Sequence, residues 1–550
     1  MRLTGFPLRA LRAIIERPGA ARLVRDKFFA DYGIDEVLAL GPQFRAPLDV
    51  HPGPLEQTTR RGWSGKGLAT PSPPPGRTTT ADLRRAYADG ELTPVEVLSS
   101  IRRRIEDEDF GESLFSPFRS LDFERAQEEA QRSALRYQEG KPVGPLDGIP
   151  LPIKDQHQMK GLPTSCGTSY LDRPASEDAH LIEVLRDSGA LLYAKTRTTE
   201  WGMDPCGFCS HQSMPRNAYS RVHGAGGSST GAGVAVALGL APVATGSDGG
   251  GSIRIPAGLN GVFGIKPTYG RIGRSGDLFG DSTVSASGPL GSSTADLVEL
   301  LAVAACAEDS ADPVRRWGPR QRNLADRWRR ALGRGVDGCR IGIPRGEWNE
   351  LDASLQRPML DALRQLEADG AELVDLDLPI LSYAPAVGML TIGLETLGNL
   401  EDIYATKADH FGDTLRTTLS LLSTVDATEY LRARRTRAAI KKALRDALDT
   451  VDIIALPTTL TTAPDYPPQL DRTPIMDEEA LKAMTRFTFL ANITGLPAGS
   501  VPVTLHDGLP LGLQFVGGSF DEASLFAVMA HAERQQWTHL SPAPDYRSPI

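Results

Sequence analysis

The chain has 550 residues, of which 40% are hydrophobic and 23% are charged, the proportions of an ordinary globular protein. Its net charge of −9 gives no electrostatic case for nucleic-acid binding. The chain has no uninterrupted apolar stretch of about 18 residues. Neither a signal peptide nor, with five cysteines, a disulfide framework is expected. Composition therefore predicts a cytoplasmic protein.

Residues 1–50 are predicted to form an amphipathic helical extension, because arginines alternate with apolar residues at roughly helical spacing. Packing against the chain's own body or against a second subunit, as in a homodimer, is the favoured interpretation, since Glu16 and Asp26 dilute the basic face. Peripheral contact with an anionic membrane is the alternative. Residues 51–79 are rich in Pro, Gly, Ser and Thr and predict a linker or surface strap.

The body of the protein is predicted to occupy residues 80–540. Thr93, Pro94 and Glu96 form a capping box that starts a helix. Farther along, the pattern predicts a helix at 180–188, a short buried strand at 190–194, a helix at 230–240, a strand from 243, and alternating strands and helices over 339–378. This alternation predicts an α/β domain with a covered sheet.

Two glycine-rich stretches carry serines, and Lys154 precedes both. The first, 224–231, contains Ser228 and Ser229, and the second, 246–254, places Ser252 after three consecutive glycines, Gly249, Gly250 and Gly251. A buried neutral lysine can take the proton of a serine, and glycine N–H groups can point at a developing oxyanion. The pattern indicates a serine hydrolase without a catalytic histidine, since nothing in the sequence pairs His211 or His223 with a serine.

The run from Gly226 to Arg271 resembles the amidase signature family, and the resemblance extends from Thr80 to about Ala532. It implies a single large mixed β-sheet surrounded by α-helices. It also implies that Ser252 is the acyl-forming nucleophile, Ser228 a bridging serine in a cis conformation, and Lys154 the catalytic lysine. The N–H groups of 249–252 would then hold the oxyanion.

The surroundings of these residues suggest supporting roles. Apolar residues at 149–153 precede Lys154, and burial lowers a lysine pKa by about 3–5 units. Asp155 is expected to point away, since its charge would oppose that shift. Asp248 and Arg254 are expected to form an ion pair that braces the Ser252 loop, with Ser229 as further support.

The wall of a substrate pocket is predicted from four apolar residues: Trp201, Met203, Phe208 and Ile255. Cys206 and Cys209 have the spacing of a redox or half-metal site, but no second ligand pair fits, so two packed thiols are favoured.

We therefore expect an amidohydrolase that cleaves a small-molecule carboxylic amide outside peptide bonds, with no metal or organic cofactor. Esters and carbamates stay open as substrates. One alternative is the glutaminase subunit of an aminoacyl-tRNA amidotransferase, although that motif usually carries glutamine where this chain has Ile255. The other is a non-catalytic binding protein on the same fold.

Overall fold

The computed structural model describes residues 2–17, 19–40, 44, 63–71, 75–108, 116–317, 319, 322–535 and 541–549. The strands are Arg2–Thr4 (β1), Phe118–Leu121 (β2), Ile153–Lys154 (β3), Ala194–Thr196 (β4), Arg216–Asn217 (β5), Ser220–Gly224 (β6), Val243–Asp248 (β7), Phe263–Lys266 (β8), Ala286–Gly291 (β9), Arg340–Pro344 (β10), Glu372–Leu376 (β11), Ile453–Pro457 (β12), Ile475–Asp477 (β13), Ala498–His506 (β14) and Leu509–Gly517 (β15).

Helices account for most of the remaining regular structure. They are Gly5–Ile15 (α1), Ala20–Asp31 (α2), Ile34–Leu40 (α3), Thr80–Ala88 (α4), Pro94–Asp107 (α5), Phe123–Gln138 (α6), His180–Asp187 (α7), Thr230–Ala237 (α8), Arg254–Leu259 (α9), Thr294–Cys306 (α10), Leu324–Ala331 (α11), Arg345–Trp348 (α12), Ala353–Ala368 (α13), Ala384–Asn399 (α14), Glu401–Lys407 (α15), Asp413–Leu422 (α16), Ala427–Leu448 (α17), Glu478–Thr485 (α18), Phe489–Thr494 (α19) and Glu522–Arg534 (α20).

One mixed sheet of eight strands, in the order β11-β10-β12-β15-β14-β8-β9-β7, lies at the centre of the helices. Strand β10 pairs in parallel with β11 and β12, and the other neighbours are antiparallel. The predicted α/β class with one large mixed sheet is confirmed. The predicted alternation over 339–378 corresponds to β10, α13 and β11, a parallel crossover.

Most of the elements predicted from the sequence are present, including the capping box at Thr93, where Glu96 accepts from the Thr93 N–H at 2.8 Å. The strand predicted at 190–194 was wrong in position. Leu191 makes only an isolated bridge to Pro150, and β4 begins at Ala194. Residues 190–194 are buried as expected, but β2 and β3 pair only with the residues from Ala194 onward.

The helices of the N-terminal extension pack on the body of the same chain. Their inward side chains, Leu8, Ile15, Phe28 and Phe29, are buried in the main hydrophobic core. On the outward face, the exposed fractions of Phe6 and Leu23 are 76% and 86%. Contact of that face with a membrane or a second subunit stays a prediction. Of the predicted 51–79 strap, residues 51–62 lie outside the described residues. In the described part, Leu68 donates to the Gly333 carbonyl.

One helical stretch, Pro379–Asn399, is long and apolar enough to cross a membrane, although no such segment was predicted from the sequence. Of its most apolar 18 residues, 56% are buried inside the protein, since α14 packs against α16, α17 and α19. A buried helix of this kind is typical of a globular core. All five cysteines are free thiols.

Candidate active site

Lys154 lies on β3, beside β7, and its side chain is completely buried. Its backbone N–H donates to Thr245 Oγ1 at 2.9 Å, which fixes the strand position. Its Nζ lies 2.7 Å from Ser228 Oγ and donates to Ser247 Oγ at 2.9 Å. Burial lowers the Lys154 pKa to about 7, although the negative charge of Asp248 opposes the shift. The amine can therefore be neutral near physiological pH.

The carboxylate next to this lysine is compensated by another cation. Asp155 is buried, and its Oδ1 lies 2.7 Å from Lys195 Nζ. The same carboxylate accepts from the Ser165 N–H at 3.1 Å. Asp155 thus pairs with Lys195 rather than with its neighbour in the chain, which leaves the Lys154 amine free to be uncharged.

Residues 225–229, which we call the Ser228 loop, contain a cis peptide between Gly227 and Ser228. Ser229 joins this loop to the second glycine-rich stretch. Its N–H donates to the Ser252 carbonyl at 3.1 Å, and its hydroxyl donates to the Ser247 carbonyl at 3.2 Å. The structure therefore brings Lys154, Ser228 and the Ser252 backbone into one cluster, although they come from three separate stretches.

Residues 249–253, the Ser252 loop, connect the end of β7 to α9. A Cβ atom on Gly250 would lie 2.6 Å from the Phe489 ring, and one on Gly251 would lie 2.5 Å from Thr488 Oγ1. Gly251 also has φ of +120°, a conformation that residues with side chains rarely adopt. The close approach of 488–489 thus explains why glycine is needed here.

The four N–H groups predicted to hold an oxyanion are not equivalent. The Gly251 N–H donates to Asp248 Oδ1 at 2.7 Å, so it is already engaged in this structure, and its predicted role in holding the oxyanion stays a prediction. Gly250 and Ser252 border the large cavity described below, whereas Gly249 packs against Ser285.

A buried ion pair lies under the Ser252 loop, at the position expected from the sequence. Arg254 Nη2 donates to Asp248 Oδ1 at 2.8 Å, and Arg254 Nε donates to Asp248 Oδ2 at 2.9 Å. Asn492 donates to Asp248 Oδ1 and accepts from Arg254. Burial by itself would raise the Asp248 pKa, but the Arg254 charge and these hydrogen bonds hold it well below its usual value. The carboxylate is therefore a permanent anchor of the loop.

A cavity opens in front of Ser252. Its surface is mainly apolar, and the apolar side chains that border it are Met203, Pro205, Phe208, Met389, Ile392, Leu415, Pro474, Ile475, Met476, Leu481 and Phe489. Cys206 and Cys209 also border it as buried free thiols. Two of the four predicted wall residues, Met203 and Phe208, lie on the cavity.

The other two predicted wall residues do not border the cavity. Trp201 packs in a separate cluster with Phe411 and Leu419, and its indole N–H donates to the Tyr170 hydroxyl at 2.8 Å. Ile255 is buried beneath both glycine loops, where it blocks a Cβ at Gly226 and at Gly251. The sequence indicated apolar residues near the site but gave no information on which face each side chain occupies.

Three carboxylates border the cavity, and each has partners in the protein. Glu200 accepts from the Gly412 N–H, Asp204 accepts from the Phe208 N–H, and Asp477 accepts from the Ala480 N–H. Burial raises the Asp204 pKa to about 7. Among the described residues that border the cavity, none is a lysine or an arginine.

Several polar residues of the site were not predicted from the sequence. Ser247 and Gln156 form a chain with the lysine, since the Ser247 hydroxyl donates to Gln156 Oε1 at 2.6 Å. Thr488 donates to the Gly250 carbonyl at 2.6 Å. Asn492 lies in a stretch that also resembles the family, and this resemblance could have identified it as a residue of the site. Ser247 could have been suspected only from its place beside Asp248.

His223, for which the sequence offered no serine partner, contacts Ser220, a serine outside the two glycine-rich stretches. Its Nδ1 lies 2.7 Å from Ser220 Oγ, and its Nε2 lies 3.3 Å from Asp465. Ser220 is only three residues away in a hairpin and does not border the cavity near Ser252. Asp465 is 75% exposed, so water weakens its interaction with His223.

Comparison with known proteins supplies the family. The Amidase family model matches residues 108–526. A glutamyl-tRNA(Gln) amidotransferase subunit of Halorhodospira halophila is 33% identical over 477 residues, covering 82% of this chain and 95% of that protein. Fatty acid amide hydrolase of Oryza sativa subsp. indica is 30% identical over 565 residues, covering 96% and 92%. The structure of the peptide amidase from Stenotrophomonas maltophilia superposes with a TM-score of 0.71 at 27% identity, covering 86% and 99%.

Proposed function

The chain belongs to the Amidase family of amidohydrolases, and from that membership we propose that it hydrolyses amides with a hydrophobic acyl or aryl group. The observation that carries this proposal is the apolar cavity that Ser252 and Gly250 border. Burying an apolar group there removes it from water, at about 25 cal/mol per Å² of surface. Peptide bonds are not the proposed target.

In the proposed reaction, Ser252 Oγ attacks the amide carbonyl while its proton passes through Ser228 to Lys154. The 2.7 Å contact between Lys154 and Ser228 and the lowered lysine pKa support this route. The proton then returns to the leaving nitrogen as the C–N bond breaks. Water attacks the acyl-Ser252 ester, releases the acid and restores the serine.

The oxyanion that forms in both steps needs N–H donors in a site closed to water. We assign this role to the Gly250 and Ser252 N–H groups, since both residues border the cavity. Gly249 is a neighbouring donor, and Gly251 would have to leave Asp248 before it could contribute. The buried Asp248–Arg254 pair supports the arrangement by fixing both ends of the loop.

The alternative function is that of a glutaminase subunit, which hydrolyses glutamine. The 33% identity to an amidotransferase component favours this alternative. An amino acid substrate, however, presents a carboxylate that needs a cation or several donors in an apolar site. The described lining offers no lysine or arginine for it. In addition, the alignment with the amidotransferase component leaves about a fifth of this chain unmatched, whereas the rice hydrolase matches 96% of it.

The test compares the purified chain on glutamine and on an apolar anilide. We expect the anilide to be hydrolysed with the higher kcat/KM, without partner subunits. Preferred release of ammonia from glutamine, or activity only with added subunits, would establish the glutaminase instead. A chain that neither hydrolyses an amide nor reacts with a serine-directed covalent probe would be a binding protein.

A further inference from the structure

Two segments of the cavity wall contact the N-terminal extension. One is the segment 473–477, which includes β13, together with Leu481 on α18. The other is the start of α16, from which Thr414, Leu415 and Thr418 border the cavity. Neither wall segment belongs to the eight-stranded sheet. Their relative position therefore depends on contacts outside the central sheet.

Strand β13 is held by the N-terminal strand. β1 pairs with it in antiparallel register, Arg2 opposite Asp477 and Thr4 opposite Ile475, and the Gly5 N–H donates to the Pro474 carbonyl at 3.1 Å. Among the strands that the structure describes, β1 is the only partner of β13. A three-residue strand without a partner would leave its backbone hydrogen-bonding groups to water.

Helix α1, which follows directly, is attached to α16. Arg12 forms an ion pair with Asp413, and Glu16 forms one with Arg416, including a contact of 3.0 Å. Leu8 and Ile15 of α1 are buried in the core. The N-terminal segment through Glu16 therefore connects one wall segment to the other.

The side chain of Arg2, on β1, makes three contacts with other parts of the chain. It donates to the Asp465 carbonyl at 2.9 Å, lies 3.5 Å from the Asp477 carboxylate, and its guanidinium lies 6.0 Å from the centre of the Phe208 ring. Phe208 and Asp477 both border the cavity. Arg2 thus lies behind the wall, in contact with residues that shape it.

We propose that residues 2–16, which we call the N-terminal brace, determine how long an apolar substrate group the cavity accepts. The brace ties β13 to α16, so it sets the separation of the two wall segments. Arg2 and Glu16 are positioning residues in this proposal, since they touch the wall rather than the substrate. The proposal rests on the proposed function, because it assumes that the apolar cavity binds the substrate.

The test compares wild type with Arg2→Ala and Glu16→Arg on the p-nitroanilides of acetic acid and decanoic acid. We expect KM for the decanoyl substrate to rise about fivefold or more, while kcat/KM for the acetyl substrate changes less than about twofold. Arg9→Ala, which alters an exposed arginine of α1, is the matched control and should behave as wild type.

A charge exchange tests the Glu16–Arg416 contact itself. Glu16→Arg places an arginine beside both Arg416 and Arg12, and the double variant Glu16→Arg/Arg416→Glu restores opposite charges between positions 16 and 416. We expect the double variant to recover the wild-type preference for the longer substrate. Equal changes for both anilides, no change for either, or no recovery in the double variant would each overturn the proposal.

A second measurement separates this proposal from the proposed function. Alkyl fluorophosphonates label an activated serine as an O–P bond forms and fluoride leaves, so they require no amide hydrolysis. We expect the ratio of decyl to methyl labelling rates to fall about fivefold in Arg2→Ala. An unchanged ratio would refute the brace, whereas a labelled wild type that hydrolyses neither anilide would refute only the proposed function.

Discussion

Lys154 Nζ lies 2.7 Å from Ser228 Oγ in a region closed to solvent, and no carboxylate forms an ion pair with the lysine among the described residues. In the proposed reaction, this contact lets the lysine take the part that histidine plays in many serine hydrolases. Burial favours the neutral amine, and Ser247 orients it.

Replacing Ser252 by alanine should abolish turnover without unfolding the protein. The hydroxyl is the only part of the side chain that is lost, and Ser252 borders the cavity without filling the core. We expect kcat to fall at least about a thousandfold. Ser220→Ala is the control, since Ser220 contacts His223 outside the cavity and should leave activity unchanged. Activity retained by the Ser252 variant, or lost in the Ser220 variant, would reassign the nucleophile.

The activity should increase with pH through about 7 and then level off. Lys154 has a pKa of about 7 in the folded protein, so the amine becomes available as a base above that pH. Lys154→Met should remove nearly all activity at every pH. A pH profile of kcat/KM that falls above pH 7, on a substrate whose chemistry limits the rate, would contradict a lysine base.

The same lysine should make stability depend on pH. Its folded pKa of about 7 lies below the ordinary lysine value of 10.5, so between these values the unfolded chain binds the proton that the folded protein has released. The free energy of unfolding of wild type, relative to Lys154→Met, should therefore rise by about 1.4 kcal/mol per pH unit in that window. Chemical denaturation of both proteins at pH 7 and pH 9 measures their free energies of unfolding. If wild type and Lys154→Met differ by the same amount at both pH values, the lysine stays charged.

Breaking the buried ion pair should strongly destabilise the protein. Arg254→Met would leave the Asp248 carboxylate buried without its cation, at a cost of about 3–5 kcal/mol in the free energy of unfolding. Arg329→Met, which breaks an exposed pair with Glu299, should cost less than about 1 kcal/mol. Urea denaturation of both variants measures the loss in the free energy of unfolding. Similar losses in the two variants would argue that the buried pair stabilises the protein no more than the exposed one.

A polar group on the cavity wall should weaken binding of an apolar substrate. Met389→Gln keeps the length of the side chain but exposes an amide to the cavity, which should cost about 1–2 kcal/mol, or roughly 5–30-fold in KM. Leu431→Gln, at an exposed position on α17, is the control. If KM for an apolar anilide is unchanged, the substrate does not occupy this cavity.

The sequence alone determined the family, the α/β class and the identity of the candidate catalytic residues. Lys154, Ser228 and Ser252 stand in local patterns, glycine-rich or apolar, whose chemistry can be recognised without knowing the fold. The same holds for Asp248 and Arg254, because residues six apart around a tight loop can be expected to meet. The Thr93 helix start is local in the same sense.

Tertiary structure decided everything that depends on contacts between distant parts of the chain. Thr488 and Phe489 explain the glycines of the Ser252 loop, and Asn492 completes its ion pair, yet more than 200 positions separate these residues from the loop. Trp201 and Ile255 were assigned to the wrong surface because an apolar side chain satisfies a cavity wall and a buried core equally well. Likewise, the pairing of β1 with β13 joins the first residues of the chain to a segment near its end, and hydrophobic periodicity carries no information about such a partner.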